Sequence, residues 1–296
     1  MPDKRAAVVV NPTKHGDTGE LRGQIRAAMS AAGWADPMWL ETTAQEAGQA
    51  LARQAVEAGA VLVLASGGDG TITACAEGLV GTGVPLAVVA AGTGNLLARN
   101  LSLPLDLDGA LAVALAGTDR ELDVGTANGT PFVVMAGLGI DAKMLDGASE
   151  PLKKRLGWAA YGVSLLRHLR DRPMRVSLVA DGGPSQRLRA SGVIIGNVGF
   201  LQGGMPLLPD ALPDDGKLDA VVLTAGGWAS WLAVAGHVLT RRHGPGRVTR
   251  VTFCDLRLST DREQPWQLDG EVMGRTRELT IGLHPGKLLL RVPAGA

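Results

Sequence analysis

Residues 61–71 read VLVLASGGDGT, a short apolar run that ends in a glycine-rich turn. An apolar run of this length, bounded by turn residues, predicts a buried strand, and a helix is expected to follow from about Thr71. The same order recurs in residues 86–95, LAVVAAGTGN, and residues 6–12, AAVVVNP, form a third apolar run that ends at a turn. Strands that alternate with helices predict a Rossmann-like parallel sheet with right-handed crossovers.

The segments between these strands have the spacing of amphipathic helices. Leu21, Ile25 and Met29 recur at helical intervals, and residues 44–58 predict a second, alanine-rich helix. We therefore predict that residues 1–123 form an α/β domain.

From about residue 124 the pattern changes to short strand-like runs separated by turn signals. Asn128-Gly129 and Asp181-Gly182 are dipeptides of the kind that close hairpins. We predict a β-rich domain over residues 124–285, whose strands include residues 174–180, 189–198 and 277–283. A last strand at about residues 286–296 could return to either domain.

Composition bounds the partners and the compartment. Lys plus Arg equals Asp plus Glu, at 29 each, and aromatic residues make up 3%. A neutral chain with few aromatic side chains lacks the general features of a nucleic-acid binder, so we expect no nucleic-acid partner. Cys75 and Cys254 form no CxxC pair, and residues 1–5 lack the pattern of a signal peptide, which together favour a cytoplasmic protein.

The glycine-rich turns predict a phosphate-binding crevice. Turns at the carboxyl ends of parallel strands converge on one edge of the sheet, which is the usual ligand site. Gly67, Gly68 and Gly70 carry no Cβ, so successive backbone N–H groups can approach an anion, and the following helix adds its partial positive charge. The carboxylate of Asp69 would repel a phosphate unless Mg²⁺ lay between them. Thr71 can donate its hydroxyl to a phosphate oxygen.

Other nucleotide-binding signatures are absent from the sequence. It contains no GxxxxGK[ST] loop and no HRD or DFG triplet, and none of its seven lysines lies in the glycine-rich turns. Phosphoryl transfer would then depend on backbone donors and metal. A second carboxylate pair, Asp269 and Glu271, flanks a predicted turn; Glu271 is the candidate general base, and Asp269 could orient it or contact a metal.

In chain order the sequence shows Asn11-Pro12, SGGDGT at 66–71, GTGN at 92–95, DDG at 214–216 and LDGE at 268–271. This series resembles the diacylglycerol kinase catalytic-domain family, which includes bacterial lipid kinases and sphingosine kinases. GGDGT alone is shared with NAD kinases and, more loosely, phosphofructokinases. The resemblance implies an NAD kinase/phosphofructokinase-like α/β domain and a C-terminal β-sandwich, with the active site between them.

The same resemblance implies roles for particular residues. ATP would be contacted by Asn11, Thr43, Gly67, Gly68, Asp69, Gly70, Thr71 and Thr93. Asp69 would act through magnesium and Glu271 as the base. A separate structural or regulatory metal would bind Asp215 and the backbone carbonyls of Leu212 and Lys217. The chain departs from the family where Thr73-Ala74 replaces the usual Asn-Glu, which puts one nucleotide or metal contact in doubt, and where Ala91 replaces a proline.

Three functions remain open at this point. The leading hypothesis is a magnesium-dependent kinase that transfers phosphate from ATP to a lipid alcohol, diacylglycerol-like or sphingoid. The alternatives are an NAD kinase-like enzyme with a water-soluble acceptor and a nucleotide-binding module that has lost catalysis. The sequence identifies neither the lipid nor the oligomeric state, a homodimer included.

We also expect peripheral contact with a membrane. Helices are predicted near residues 156–170 and 228–241; the first has basic residues at both ends, and the second has them at its C-terminal end. Such helices can place apolar side chains at the headgroup level while arginines meet anionic lipid.

Overall fold

The computed structural model describes residues 4–46, 48–139, 172–201, 205–224 and 248–295. The two predicted helices near residues 156–170 and 228–241, and with them the expected membrane-contacting segments, lie outside the described residues. The chain divides into two compact units, Met1–Val124 with Pro285–Ala296, and Gly125–His284.

The first unit alternates strands and helices. Its elements are β1 (Ala6–Val10), α1 (Thr18–Ala31), β2 (Met38–Glu41), α2 (Gly48–Glu57), β3 (Leu62–Gly67), α3 (Asp69–Leu79), β4 (Leu86–Ala90), α4 (Leu96–Asn100) and α5 (Leu107–Ala116). A short 3₁₀ turn, Pro12–Lys14, follows β1. The strands are parallel in the order β4-β3-β1-β2, which confirms the predicted α/β sheet.

Burial explains why these strands form. Every residue of β1 and β3 is buried, because helices cover both faces of a parallel sheet. On α1 the apolar stripe Leu21, Ile25 and Met29 is buried, and Asp17 caps the helix by accepting from the backbone N–H groups of its first turn. Helix α3 begins at Asp69 rather than at the predicted Thr71, because Gly68 adopts the extended N-cap conformation.

The second unit is antiparallel. After β5 (Thr118–Ala127) come β6 (Thr130–Phe132), β7 (Met135–Gly139), β8 (Met174–Ala180), β9 (Gln186–Ala190), β10 (Gly192–Gly196), β11 (Phe200–Leu201), β12 (Met205–Pro206), β13 (Leu218–Leu223), β14 (Val248–Phe253) and β15 (Leu256–Leu268). The main order is β14-β13-β10-β7-β15, with β8 also paired to β15 and β9 to β8. Phe132, Phe253 and Trp266 belong to its buried core.

Two elements differ from the sequence reading. The run predicted as one strand at residues 189–198 breaks at Ser191 into β9 and β10, which pair with different neighbours. The final strand β16 (Glu271–Val292) is continuous where two strands were predicted. Its residues from Pro285 belong to the first unit, where Leu290 pairs parallel with Leu86.

Candidate active site

The carboxyl ends of β1, β3 and β4 lie side by side. Val10 pairs with Ser66, and Gly67 pairs with Ala90. The pairing continues for one residue past β1 and β4, since Asn11 N donates to Ser66 O at 2.9 Å and Ala91 N donates to Gly67 O at 2.8 Å. The three predicted ligand turns therefore begin at one edge of the sheet.

Glycine allows two of these turns to touch. A Cβ placed on Gly92 would lie 2.8 Å from the Cα of Gly68, a distance that real Cβ atoms essentially never show. A Cβ on Gly67 would lie 2.7 Å from the Cβ of Thr71. At Gly70, by contrast, a Cβ would meet nothing within 4 Å. The turns are thus packed against each other at Gly68 and Gly92 and open beside Gly70.

Asp69 fastens the GTGN turn to the GGDG turn. Its carboxylate accepts hydrogen bonds from the backbone N–H groups of Asn95, at 2.9 Å, and Leu96, which opens α4. The sequence suggested a bare carboxylate that only a metal would make useful. The structure gives it a positional role first, and each oxygen keeps a second lone pair for a cation or a water.

Asn95 closes the GTGN turn through hydrogen bonds to Gly92, and the sequence analysis did not single it out. Its side-chain oxygen accepts from Gly92 N, and its side-chain nitrogen donates to Gly92 O, both at 3.0 Å. Its backbone is left-handed, with φ 50°, a conformation that asparagine tolerates better than most residues. The last residue of GTGN was the available signal.

Asn11 joins the first turn to the start of α3. Its side-chain nitrogen donates to Thr71 Oγ1 at 3.3 Å, and its side-chain oxygen accepts from both the backbone N–H and the hydroxyl of Thr13. Thr71 is buried, and the hydrogen bond from Asn11 holds its hydroxyl in place. The structure brings together Asn11, Thr71 and the two glycine-rich turns.

Lys14 supplies a cation that the sequence reading missed. A Cβ on Gly68 would lie 3.6 Å from Lys14 Cε, so the end of this side chain lies over the GGDG turn. Across the described parts of the chain its ammonium group forms no ion pair. Next to it, His15 Nε2 lies 3.1 Å from the hydroxyl of the buried Ser66. Neither contact was predictable from spacing, since two helices and two strands separate Lys14 and His15 from the GGDG turn along the chain.

The remaining predicted nucleotide contacts lie at the same edge of the sheet. Thr43 follows β2, and its hydroxyl oxygen accepts from the backbone N–H groups of Gln45 and Glu46. Thr93 is exposed in the GTGN turn, and its hydroxyl has no hydrogen-bond partner among the described residues. Thr73, at one of the two positions where the sequence departs from the expected Asn-Glu, is buried in α3.

In the second unit, Asp269 and Glu271 have different surroundings. Asp269 accepts from the backbone N–H groups of Val133, Val134 and Met135 at 2.7–2.9 Å. This carboxylate therefore anchors the start of β7, and its role in orienting Glu271 stays a prediction. Asp269 and Gly270 both have positive φ, so they form the tight turn that joins β15 to β16. Glu271 is exposed, and within the described residues its carboxylate has no partner.

The predicted second metal position lies in the loop before β13. Asp215 is exposed, and one of its carboxylate oxygens accepts from Lys217 N at 3.0 Å. A carboxylate and two carbonyls, those of Leu212 and Lys217, are oxygen ligands of the kind that Mg²⁺ and Ca²⁺ prefer. Burial raises the pKa of the nearby Asp219 carboxyl; a hydrogen bond from Thr252 opposes this rise, and the charges of Asp215 and Asp210 add to it. In the part of the chain that is described, no three His, Cys, Asp or Glu side chains are grouped to hold a metal.

Comparison with known proteins decides the family. The diacylglycerol kinase catalytic domain matches residues 5–127, and the YegS C-terminal NAD kinase beta sandwich-like domain matches residues 133–292, more than half of the chain. The chain belongs to the diacylglycerol kinase catalytic-domain family. A Pseudomonas aeruginosa protein named "Probable lipid kinase YegS-like" is 33% identical over 215 residues, 71% of this chain and 68% of that protein. A Klebsiella pneumoniae protein of the same name is 31% identical over 209 residues, 70% and 68% of the two chains.

Solved structures of this family and of NAD kinases share the fold. A diacylglycerol kinase from Bacillus anthracis has a TM-score of 0.75 at 21% identity, covering 98% of this chain and 97% of that one. An NAD kinase from Archaeoglobus fulgidus, solved in complex with ATP, has a TM-score of 0.52 at 14% identity, covering 97% and 93%. These likenesses confirm the predicted NAD kinase-like α/β domain and C-terminal β-sandwich. Among the described residues, no helix is long and apolar enough to cross a bilayer.

Proposed function

We propose that this family member transfers the γ-phosphoryl group of magnesium-bound ATP to the hydroxyl of a lipid alcohol, diacylglycerol-like or sphingoid. The observation that carries the proposal is the close approach of the backbone at Gly68 and Gly92. It packs the two glycine-rich turns together at the carboxyl ends of β3 and β4. Relatives named as lipid kinases support the acceptor class.

The ATP phosphates would lie against these turns. Backbone N–H groups of residues 67–71 and the N-terminus of α3 would donate to phosphate oxygens. The hydroxyls of Thr71 and Thr93 would add donors, and the ammonium of Lys14 would neutralise charge as a P-loop lysine does elsewhere. Asn11 and Thr43 lie at the same edge and would contact the nucleotide there.

Magnesium enters with the nucleotide as part of the substrate. Oxygen donors suit it, and Asp69 retains lone pairs on both carboxylate oxygens after its two backbone hydrogen bonds. Asp69 would therefore hold the ion directly or through water, and the bound ion would offset the repulsion between this carboxylate and the phosphates. The loop position at Asp215, Leu212 and Lys217 is proposed to bind a separate structural cation.

Glu271 is proposed as the general base. As the lipid oxygen bonds to the γ-phosphorus, the bond from that phosphorus to the β–γ bridging oxygen breaks, and ADP leaves with the bond's electron pair. The hydroxyl proton passes to the Glu271 carboxylate, which is exposed and without a competing partner among the described residues.

The direct test is an acceptor panel. Purified protein would be incubated with γ-labelled ATP and mixed micelles that contain diacylglycerol, a sphingoid base or a glycolipid alcohol, with NAD as the water-soluble control. Label in one lipid and none in NADP supports the proposal. Label in NADP alone would establish the NAD kinase-like alternative, and ATP binding without label in any acceptor would establish a binding module.

A further inference from the structure

Three arginines form an exposed cluster on the solvent face of the second unit. Arg175 lies on β8, and Arg187 and Arg189 lie on β9. Arg175 pairs directly with Arg189, and Ser177 pairs with Arg187. Because paired residues and alternate residues of a strand share one face of a sheet, all three arginines project from the same side. We call Arg175, Arg187 and Arg189 the arginine face.

This arrangement costs stability unless something binds it. Like charges directly opposite each other on neighbouring strands are destabilising. Across the described residues none of the three guanidinium groups forms an ion pair, and the carboxylate of the adjacent Asp261 accepts from the backbone N–H of Arg175. A local arrangement that opposes folding without compensation is typical of a binding site.

The shape and chemistry of the face fit phosphate groups. The arginines line an open depression of about 530 Å³ together with Ser177, Ser259 and Asp261, the one carboxylate in its lining. Guanidinium groups bind phosphate oxygens in pairs, and serine hydroxyls add single donors. The depression has no aromatic lining residue on which a base could stack, which disfavours single-stranded nucleic acid.

We propose that the arginine face binds the phosphate groups of anionic phospholipids and so docks the second unit on a bilayer surface. The proposal rests on the proposed function, because a lipid acceptor requires access to a membrane. The chain has no net charge to attract it to anionic surfaces in general, so any attraction comes from local concentrations of positive charge such as this one.

Vesicle sedimentation tests the proposal without ATP or turnover, so its outcome is separate from that of the kinase assay. The probes are phosphatidylcholine vesicles with rising fractions of phosphatidylglycerol. The test variant is Arg187→Gln/Arg189→Gln. The matched control is Arg53→Gln/Arg250→Gln, which removes the same charge from exposed positions on α2 and on β14, four strands away from β15.

We expect the test variant to lose about thirtyfold in partitioning onto anionic vesicles, roughly fivefold for each arginine, while the control binds like wild type. Arg189→Gln alone should melt at the same or a higher temperature, because it removes the like-charge opposition. Equal binding by test and control variants, or no binding by wild type, would overturn the proposal, as would a lower melting temperature for Arg189→Gln. If the protein bound single-stranded RNA but not vesicles, the arginine face would be assigned to RNA and the proposal would likewise be overturned.

Discussion

Asp69 links the two glycine-rich turns, so its replacement affects both stability and turnover. In Asp69→Asn, one carboxylate oxygen becomes an NH₂ group that faces a backbone N–H donor. We expect a loss of about 1–3 kcal/mol in the free energy of unfolding, as for an unsatisfied buried donor. Turnover should fall at least about 10²-fold, as for removal of an electrostatic stabiliser. Chemical denaturation and a kinase assay measure the two effects. An unchanged unfolding midpoint would contradict the claim that Asp69 holds the two turns together.

Lys14 allows a cleaner test of phosphate contact, since its side chain is exposed and has no structural partner in the described parts of the chain. Lys14→Met should raise the KM for ATP about tenfold, the usual loss for one charge-assisted hydrogen bond, with little change in melting temperature. Lys287→Met removes another exposed lysine of the first unit and should leave KM unchanged. Equal KM values for the two variants would remove Lys14 from the site.

Cys75 predicts a particular response to alkaline pH. Burial raises the pKa of its thiol to about 12 from its ordinary value of 9.0. The unfolded thiol ionises first, so this group's contribution to stability is complete below pH 9.0 and is lost as pH rises toward about 12. Denaturant titrations should show wild type losing stability over this window more steeply than Cys75→Ala, by up to about 1.4 kcal/mol per pH unit. Parallel slopes would mean that Cys75 ionises freely in the folded protein.

At the scale of elements, the contact between the two turns can be broken with one methyl group. Gly92→Ala would place a Cβ 2.8 Å from the backbone of Gly68 and 2.9 Å from Asn95 Oδ1. We expect a cost of about 1–3 kcal/mol from overpacking and a loss of ATP binding, measured by calorimetry.

The control for that variant is Gly23→Ala in the interior of α1, where a Cβ meets nothing within 4 Å. This change should stabilise the protein by about 0.5–1 kcal/mol through helix propensity and leave ATP binding intact. Normal ATP affinity in Gly92→Ala would show that the close approach of the turns is not needed for the nucleotide.

The elements were predictable where a local pattern decides them. The apolar runs before GGDG and GTGN are β3 and β4, and Met174–Ala180 is β8 within its expected bounds. The break at Ser191 was not predictable, because residues 186–196 are strand-like throughout and only pairing with two different neighbours separates β9 from β10.

The candidate site was predictable in its residue types and less so in its contacts. Glycine spacing indicates where the backbone can approach an anion, so Gly67, Gly68 and Gly70 could be predicted as candidates from the sequence. The hydrogen bond from Asn95 N to Asp69 and the approach of Lys14 to Gly68 depend on how neighbouring turns pack against each other. The three backbone hydrogen bonds to Asp269 likewise come from a segment more than 130 positions away.

At the scale of the whole molecule, we propose that the first unit binds the nucleotide and that Glu271 in the second unit removes the proton. Glu271→Gln should therefore separate the two activities. Its ATP affinity should match that of wild type, because the carboxylate acts on the alcohol and not on the nucleotide.

The measurement that tests this account most directly is transfer of label from γ-labelled ATP to lipid, run for wild type and Glu271→Gln beside calorimetric titration of both with ATP. The account predicts that wild type labels at least one lipid alcohol, that Glu271→Gln labels none, and that both bind ATP equally. A wild-type protein that labels no lipid, or a Glu271→Gln variant that labels lipid at the wild-type rate, would contradict it.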